Sequence, residues 1–222
     1  MKNITILLVD DHMVLREALR ALLQTEPDLE VVGDAENGRQ AVEMAAKLQP
    51  DVVVMDLAMP QLNGLEATRR IIKESPGTKV LILSSYSDDK FVQELIEAGA
   101  VGYFLKQTGA PEFIKAVREA HKGKACFSPS ISKRLLDHHR AGASQDKNTV
   151  PLTSREREVV QLVAEGKGNR QVAADLNVSI KTVEKHRQHA MDKLNIHDIA
   201  GLTRYAVAEG IIDRVTGPAL DA

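Results

Sequence analysis

Short apolar runs alternate with helical patterns along the first 122 residues. The runs lie at 4–9, 30–33, 51–55, 79–83 and 101–105, and three of them are apolar almost throughout, as in strands buried on both faces of a parallel sheet. Between the runs, apolar residues recur at the three- and four-residue spacing of amphipathic helices. Five β-α units in strict alternation predict a doubly wound α/β domain over residues 1–122.

The pattern changes after Gly123, where the strand-helix alternation stops. Residues 123–148 read as a linker with a short helix that begins near Ser128 and runs to Arg140, because the rest of the segment is small and polar and is followed by Pro151. Residues 149–214 show only helical periodicity and predict four helices, at about 154–165, 169–176, 180–194 and 198–208. Thr153 and Glu156 have the spacing of a capping box.

Composition narrows the class of protein. With 222 residues, 43% hydrophobic and 27% charged, the chain has the make-up of an ordinary two-domain globular protein, which excludes disordered, collagen-like and disulfide-rich classes. The longest apolar runs are four residues, and the N-terminus lacks the apolar core of a signal peptide, so we expect no membrane association. The single cysteine, Cys126, fits a reducing compartment, and we expect a cytoplasmic protein.

The net charge of −2 conceals an uneven distribution. Residues 1–122 carry 14 basic and 19 acidic side chains, whereas residues 149–222 carry 10 of each. Within the second part, the window 167–193 holds 6 basic and 3 acidic residues. An acidic first half and a locally basic tail indicate different partners.

Polar residues follow four of the five predicted strands directly. Asp10 and Asp11 come after the first run, Asp56 after the third, Ser84 after the fourth and Lys106 after the fifth. The carboxyl ends of parallel strands form one edge of the sheet, and with strand order 2-1-3-4-5 the first and third runs are neighbours. An aspartate after a strand is often only a turn residue, but the joint occurrence at one edge predicts a site. Three carboxylates require a cation, and oxygen ligands favour Mg²⁺, beside which a carboxylate can attack a phosphoryl group.

Residues 4–122 resemble a response-regulator receiver domain. The resemblance is carried by LLVDDH (7–12), VVMDLAMPQLNG (53–64), ILSSY (82–86) and AGAVGYFLK (98–106). It implies a flavodoxin-like (βα)5 fold with sheet order 2-1-3-4-5. Many receivers have proline after the lysine, where this chain has Gln107, so the loop rigidity that a cis-proline would give is not expected here.

The receiver resemblance also implies roles for individual residues. Asp56 is then the phosphoacceptor, and Asp11 and Asp56 hold Mg²⁺ directly, with Asp10 acting through water. The following residues complete the implied set: the backbone carbonyl of Ala58 as a further metal ligand, Ser84 and Lys106 as ligands of the phosphoryl oxygens, and Tyr103 as the aromatic side chain whose rotamer follows Ser84.

The third predicted tail helix, SIKTVEKHRQHAMDKL (179–194), has an apolar stripe at Ile180, Val183, Ala190 and Leu194 and a basic and amide side opposite. With the short helix before it, it forms a helix-turn-helix candidate. Charge on a helix surface is usually only solvation, and Glu184 and Asp192 dilute the positive field, so the sequence pattern decides. Residues 152–194 resemble the LuxR-type helix-turn-helix, and the whole chain is similar to a NarL/FixJ-type response regulator.

The LuxR resemblance implies two kinds of DNA contact, to base edges and to phosphates. Base-edge readers are Glu184, Lys185 and Gln188; phosphate contacts are Lys167, Arg170, Lys181 and Thr182. His186 and Arg187 stay unassigned. The last helix is the implied dimerisation surface, and two-fold dimers read half-sites about one helical turn apart.

The sequence as a whole predicts a transcription regulator that is not a turnover enzyme. A sensor histidine kinase phosphorylates Asp56, and the phosphorylated chain binds double-stranded DNA as a homodimer. One alternative is a phosphorylation-independent regulator whose receiver only mediates dimerisation, although the complete set of Asp10, Asp11, Asp56 and Lys106 argues against it. Another is a hydrolase working through an aspartyl-phosphate, which would need a second acid or base where the chain has Ala58.

Overall fold

A computed structural model describes residues 3–85, 89–129, 131–133 and 152–212 of the chain. The chain divides into two compact units, residues 1–143 and 144–222. Among the described helices, none combines the length and the apolar character that crossing a membrane requires.

The first unit is a parallel sheet in the order β2-β1-β3-β4-β5-β6, with helices in the crossovers between successive strands. Its strands are β1 (Ile4–Val9), β2 (Leu29–Ala35), β3 (Val52–Met55), β4 (Lys79–Ser84), β5 (Gly102–Leu105) and β6 (Cys126–Phe127). Its helices are α1 (Met13–Gln24), α2 (Gly38–Leu48), α3 (Gly64–Glu74), α4 (Asp89–Glu97) and α5 (Ala110–His121). The flavodoxin-like α/β prediction is therefore confirmed.

The unbroken apolar strands have a simple explanation, because alternate residues enter two separate cores. Leu7 and Met55 face a core that includes residues of α2, α3 and α4, whereas Leu8 and Val54 face one that includes residues of α1 and α5. Successive side chains of a strand point to opposite faces, so a sheet covered on both sides needs apolar residues at every position. The central strands are fixed in register by this double burial.

A sixth strand extends the sheet beyond the predicted order 2-1-3-4-5. Cys126 and Phe127, which the sequence analysis placed in the linker, pair in parallel with Gly102 and Tyr103 of β5. Two residues are too short to show periodicity. Gly102 makes the approach feasible, since a Cβ there would lie 2.2 Å from the Cys126 carbonyl oxygen. Residues 129 and 131–133 are helical, as predicted for the start of the short helix; its continuation to Arg140 lies outside the described residues.

Helix α1 packs Leu19 and Leu22 against the core, but it exposes an apolar residue near its start and buries a charged one. Val14 is 76% exposed, whereas Arg16 is only 6% exposed. The reason is electrostatic: the Arg16 guanidinium lies against carboxylates at the end of β2 and beyond it, Asp34 and Glu36. A buried arginine is tolerated when such partners satisfy it.

Within its described residues, 152–212, the second unit has four helices around one core, as predicted. They are α6 (Ser154–Ala164), α7 (Asn169–Asp175), α8 (Ile180–Leu194) and α9 (Ile199–Ala208). The predicted capping box begins α6: the Thr153 hydroxyl accepts from the Glu156 N–H, and the Glu156 carboxylate accepts from the Thr153 N–H. Asn177, with φ of 51°, makes the tight turn between α7 and α8.

Ion pairs and side-chain bonds join α8 to the first two helices of this unit. Lys193, in the last turn of α8, lies 2.7 Å from the Glu156 carboxylate, and Arg187 donates to the Asn169 side chain at 3.0 Å. Burial alone would raise the pKa of Glu156, but hydrogen bonds from Lys193 and Thr153 lower it overall. Ile180 departs from the predicted apolar stripe, since it is 45% exposed, while Val183 and Ala190 are buried.

Gly64 offers a direct test of the packing around the third strand. A Cβ at Gly64 would lie 2.1 Å from the Asp56 backbone oxygen, so Gly64→Ala must displace either α3 or the chain that carries Asp56. We expect a loss of about 2 kcal/mol in the free energy of unfolding, measured by chemical denaturation. Gly77→Ala is the matched control, because no atom lies within 4 Å of the added carbon. Equal stabilities of the two variants would contradict this packing.

Candidate functional sites

Strand pairing brings two predicted aspartates together at the carboxyl edge of the sheet. Val9 and Met55 are register partners in β1 and β3, so Asp10 and Asp56 leave neighbouring strands side by side. The Asp56 N–H donates to the Val9 carbonyl at 2.8 Å, which continues the ladder into the site. Both carboxylates are buried, with residue exposures of 3% and 5%.

Lys106 lies between these two carboxylates. Its Nζ is 2.7 Å from Asp10 Oδ2 and 3.0 Å from Asp56 Oδ2. The Lys106 N–H donates to the Ser84 carbonyl at 2.9 Å, which holds the start of the loop after β5 against the end of β4. Burial lowers the pKa of Lys106, but the charges of Asp56 and Asp10 outweigh it, so the pKa is raised overall and the ammonium is kept.

The position of Asp56 disfavours the ionised form of its carboxylate. Burial, opposed by the Lys106 ammonium, raises the pKa of Asp56 to about 7, and the negative charge of Asp10 adds to the rise. One ammonium does not fully compensate two buried carboxylates. Additional positive charge at this edge would favour the ionised form of Asp56, the form that acts as a nucleophile.

Asp11 and His12 complete the acidic cluster. Ligand atoms of Asp10, Asp11, His12 and Asp56 lie within 4.8 Å of one another. The His12 N–H donates to Asp10 Oδ1 at 2.9 Å, and the His12 ring lies close to both neighbouring carboxylates. Burial lowers the pKa of His12, but Asp11 and Asp10 outweigh it and the pKa is raised overall. His12 was not predicted as a site residue, although it is the last residue of LLVDDH (7–12).

The donor set fits a hard divalent cation. Asp11 Oδ1 is buried without a hydrogen-bond partner among the described residues, although His12 Nδ1 lies 2.8 Å away in poor geometry for a hydrogen bond. A buried carboxylate oxygen without a donor, beside two further carboxylates, is the arrangement that oxygen-coordinated cations such as Mg²⁺ use. The cluster is therefore a candidate cation site.

The other predicted pocket residues lie around the cluster. Ser84 ends β4 and is fully buried, and Ala58 is buried two residues after Asp56. Tyr103 is 1% exposed and belongs to the core on the α2–α4 side of the sheet, together with Ile131. The structure thus brings Asp10, Asp11, Asp56 and Lys106 into direct proximity, places Ser84 at the same edge, and places Tyr103 in the adjoining core.

The predicted base-edge residues share the solvent face of α8. Glu184, Lys185 and Gln188 are all exposed, as is Lys181 one turn earlier. Gln188 donates to Asp192 at 2.7 Å, which orients its amide along the helix. Ser179 caps α8 by accepting from the Thr182 N–H. This helix presents a polar surface of mixed charge on a small, well-packed unit.

The remaining residues predicted to contact DNA differ in their exposure and in their hydrogen bonds within the unit. Arg170 is exposed on α7, but Lys167 is held 2.8 Å from the Asp175 carboxylate. Thr182 is half-buried, and its hydroxyl lies 2.8 Å from that of Ser179. Arg187, unassigned by the sequence analysis, is half-buried and bonded to Asn169, so its side chain joins α8 to α7.

Comparison with known proteins assigns both units. Residues 6–118 match the response regulator receiver domain, and residues 150–206 match the bacterial regulatory proteins of the luxR family. The receiver match alone spans half of the chain. This chain belongs to the two-component response regulators of the NarL/FixJ type. It is a response regulator with a receiver and a LuxR-type DNA-binding domain, and its relatives are transcriptional regulators.

Full-length relatives support this membership. The transcriptional regulatory protein LiaR of Bacillus subtilis is 38% identical, over 91% of this chain and 96% of its own. The oxygen regulatory protein NreC of Staphylococcus carnosus is 37% identical, over 94% of this chain and 99% of its own. Among solved structures, the response regulator RcsB of Salmonella typhimurium aligns with a TM-score of 0.66 at 27% identity, covering 94% of this chain and 98% of its own.

Proposed function

We propose that this response regulator accepts a phosphoryl group on Asp56 from a sensor histidine kinase and then binds double-stranded DNA as a homodimer. The observation that carries the proposal is the placement of Lys106 between Asp10 and Asp56, with Asp11 beside them. A phosphoryl-accepting carboxylate needs neighbours that neutralise charge on the transferring oxygens, and this arrangement supplies them.

The transfer exchanges one bond to phosphorus for another. An Asp56 carboxylate oxygen forms the new bond as the bond from phosphorus to the kinase histidine nitrogen breaks, and the electron pair of that bond returns to the imidazole. Lys106 and Ser84 hold the phosphoryl oxygens in this proposal. Mg²⁺ bound by Asp10, Asp11, Asp56 and the Ala58 carbonyl would supply further positive charge at the same oxygens.

Phosphorylation replaces the contact between Lys106 and Asp56 with contacts to the phosphoryl group. In this proposal the change shifts Ser84, and the shift of Ser84 in turn moves Tyr103, whose side chain lies in the adjoining core. We propose that these shifts bias an equilibrium toward a dimer competent for DNA binding. The protein is then a phosphoacceptor rather than a turnover enzyme, and it works in the bacterial cytoplasm, where its DNA target is found.

DNA binding by α8 is supported by its exposed polar face and by the relatives. Structures named for RcsB include a complex with DNA, which aligns here at a TM-score of 0.59 and 28% identity over 93% of this chain and 99% of its own. Another is named for two RcsB dimers on parallel DNAs. In this proposal Glu184, Lys185 and Gln188 read base edges, and Lys167, Arg170, Lys181 and Thr182 contact phosphates.

The acceptor residue is tested by intact mass. After incubation with Mg²⁺ and acetyl phosphate, the full chain should gain one phosphoryl group, and Asp56→Asn should gain none, because the nucleophilic carboxylate is gone. Chelation of Mg²⁺ should abolish the adduct. Glu30→Gln removes an exposed carboxylate of the same unit and should be modified like the wild type. An adduct that persists in Asp56→Asn would assign a different acceptor.

The DNA contacts are tested with duplexes that the phosphorylated chain selects from a random pool. Lys181→Ala should weaken binding about equally for all sequences and reduce the salt slope by about one, because phosphate contacts release counterions. Lys185→Ala should instead relax the preference at one base position, at a cost of about 1–3 kcal/mol on the preferred base. Lys47→Ala, an exposed lysine of the first unit, is the control. Unchanged selectivity in Lys185→Ala would remove Lys185 from the base readers.

A further inference from the structure

We propose that Arg16 is a positioning residue for the cation site, fixing the peptide that joins Asp10 to Asp11 and so setting where their carboxylates meet the cation. The inference rests on the proposed function, since it concerns the cation that the acidic cluster would hold. Among the described residues, Arg16 forms no hydrogen bond or ion pair with a pocket carboxylate. Its role is to hold the backbone from which two of them project.

The contacts of Arg16 define this role. Its Nη1 donates to the Asp10 carbonyl at 2.6 Å, in a buried position. Its Nη2 donates to Glu36 Oε1 at 3.0 Å, and its Nε lies 3.4 Å from Asp34 Oδ2 without a hydrogen-bond partner among the described residues. The guanidinium therefore connects the loop after β1 to the end of β2.

The Asp10 carbonyl is the group through which both aspartates are controlled. It belongs to the peptide between Asp10 and Asp11, so its orientation sets ψ of the first residue and φ of the second. On the other side, the Asp10 N–H donates to the Ala35 carbonyl at 3.2 Å. Asp10 is thus held by β2 through its N–H and by Arg16 through its carbonyl. Because the Asp10 carbonyl belongs to the peptide that leads into Asp11, these two bonds also set the direction of the Asp11 side chain.

Arginine is chemically suited to this position in a way that other residues are not. Burying a guanidinium is costly unless it is paired, and an aliphatic residue would pack α1 at lower cost. Its planar fork can donate to the Asp10 carbonyl and to Glu36 at the same time, whereas a lysine ammonium keeps the charge but loses the fixed geometry. Substitution by lysine therefore separates geometry from charge.

Arg118 provides a matched comparison within the same unit. Its guanidinium also binds two carboxylates, with Nη2 2.6 Å from Glu26 and 2.7 Å from Asp28. Asp28 precedes β2, so this cluster lies at the amino edge of the sheet, opposite the pocket. Arg118→Met consequently removes an arginine that is also paired with two carboxylates, although it is more exposed (34% of its side chain against 7% for Arg16), and it does so without touching the backbone of Asp10 or Asp11.

The test compares Mg²⁺ affinity, phosphorylation rate and thermal stability in four full-length proteins: wild type, Arg16→Lys, Arg16→Met and Arg118→Met. Mg²⁺ binding is followed by titration calorimetry, and phosphorylation by acetyl phosphate is followed by intact mass. We expect both Arg16 variants to bind Mg²⁺ about tenfold more weakly, the usual effect of losing a group that orients metal ligands. At saturating Mg²⁺ their phosphorylation rates should return close to the wild-type rate, because Arg16 touches no reacting atom.

Several outcomes would overturn the inference. Mg²⁺ affinity near the wild-type value in both Arg16 variants would show that the peptide is held without the guanidinium. Tighter binding by Arg16→Met would show that Arg16 acts only as a repelling charge. Equal weakening in Arg118→Met would show a general loss of stability. Failure of the wild type itself to bind Mg²⁺ would overturn the cation site and this inference together, whereas the phosphorylation assay would still judge Asp56.

Discussion

The convergence of three carboxylates at one edge of a parallel sheet is the constraint on which the receiver unit depends. Asp10 and Asp56 leave adjacent strands whose register makes them neighbours, and Asp11 follows in the same loop. Lys106 offsets part of the repulsion by lying within 3.0 Å of two of them. Burial, opposed by the Lys106 ammonium, raises the pKa of Asp56 to about 7, and the negative charge of Asp10 adds to the rise. Additional positive charge at this edge would therefore favour the ionised form of Asp56.

Neighbouring elements of the receiver unit hold these carboxylates in place. Gly64 allows α3 to begin against the Asp56 backbone, and Arg16 ties the Asp10 carbonyl to the end of β2. Lys106 follows β5 directly, and β5 also carries Tyr103 and pairs with β6. The Ser128 N–H donates to the Tyr103 carbonyl at 3.1 Å. The strand that leads to Lys106 is therefore bonded directly to the segment that follows β6.

Most of the fold could be predicted from the sequence, because strands buried on both faces have continuous apolar runs. The grouping of Asp10, Asp11, Asp56 and Lys106 could be predicted because the carboxyl ends of parallel strands lie at one edge of the sheet. Features that depend on tertiary partners were not predicted. The strand at Cys126–Phe127 is too short to have a period, and Arg16 was not expected inside because apolar spacing takes no account of Asp34 and Glu36. Ile180 fits a helical stripe by number but lies at the solvent-exposed start of α8.

If chemistry at Asp56 controls DNA binding, the affinity of the chain for DNA must differ between its two phosphorylation states. A selected duplex should be titrated with the full chain before and after phosphorylation by acetyl phosphate, with Asp56→Asn treated in the same way and the mass of the complex recorded. We expect phosphorylation to increase the affinity for the duplex by about tenfold or more and to yield two chains per duplex. The affinity of Asp56→Asn should not change. Equal affinity and stoichiometry in both states of the wild type would contradict this control of DNA binding and favour a regulator that binds DNA independently of phosphorylation.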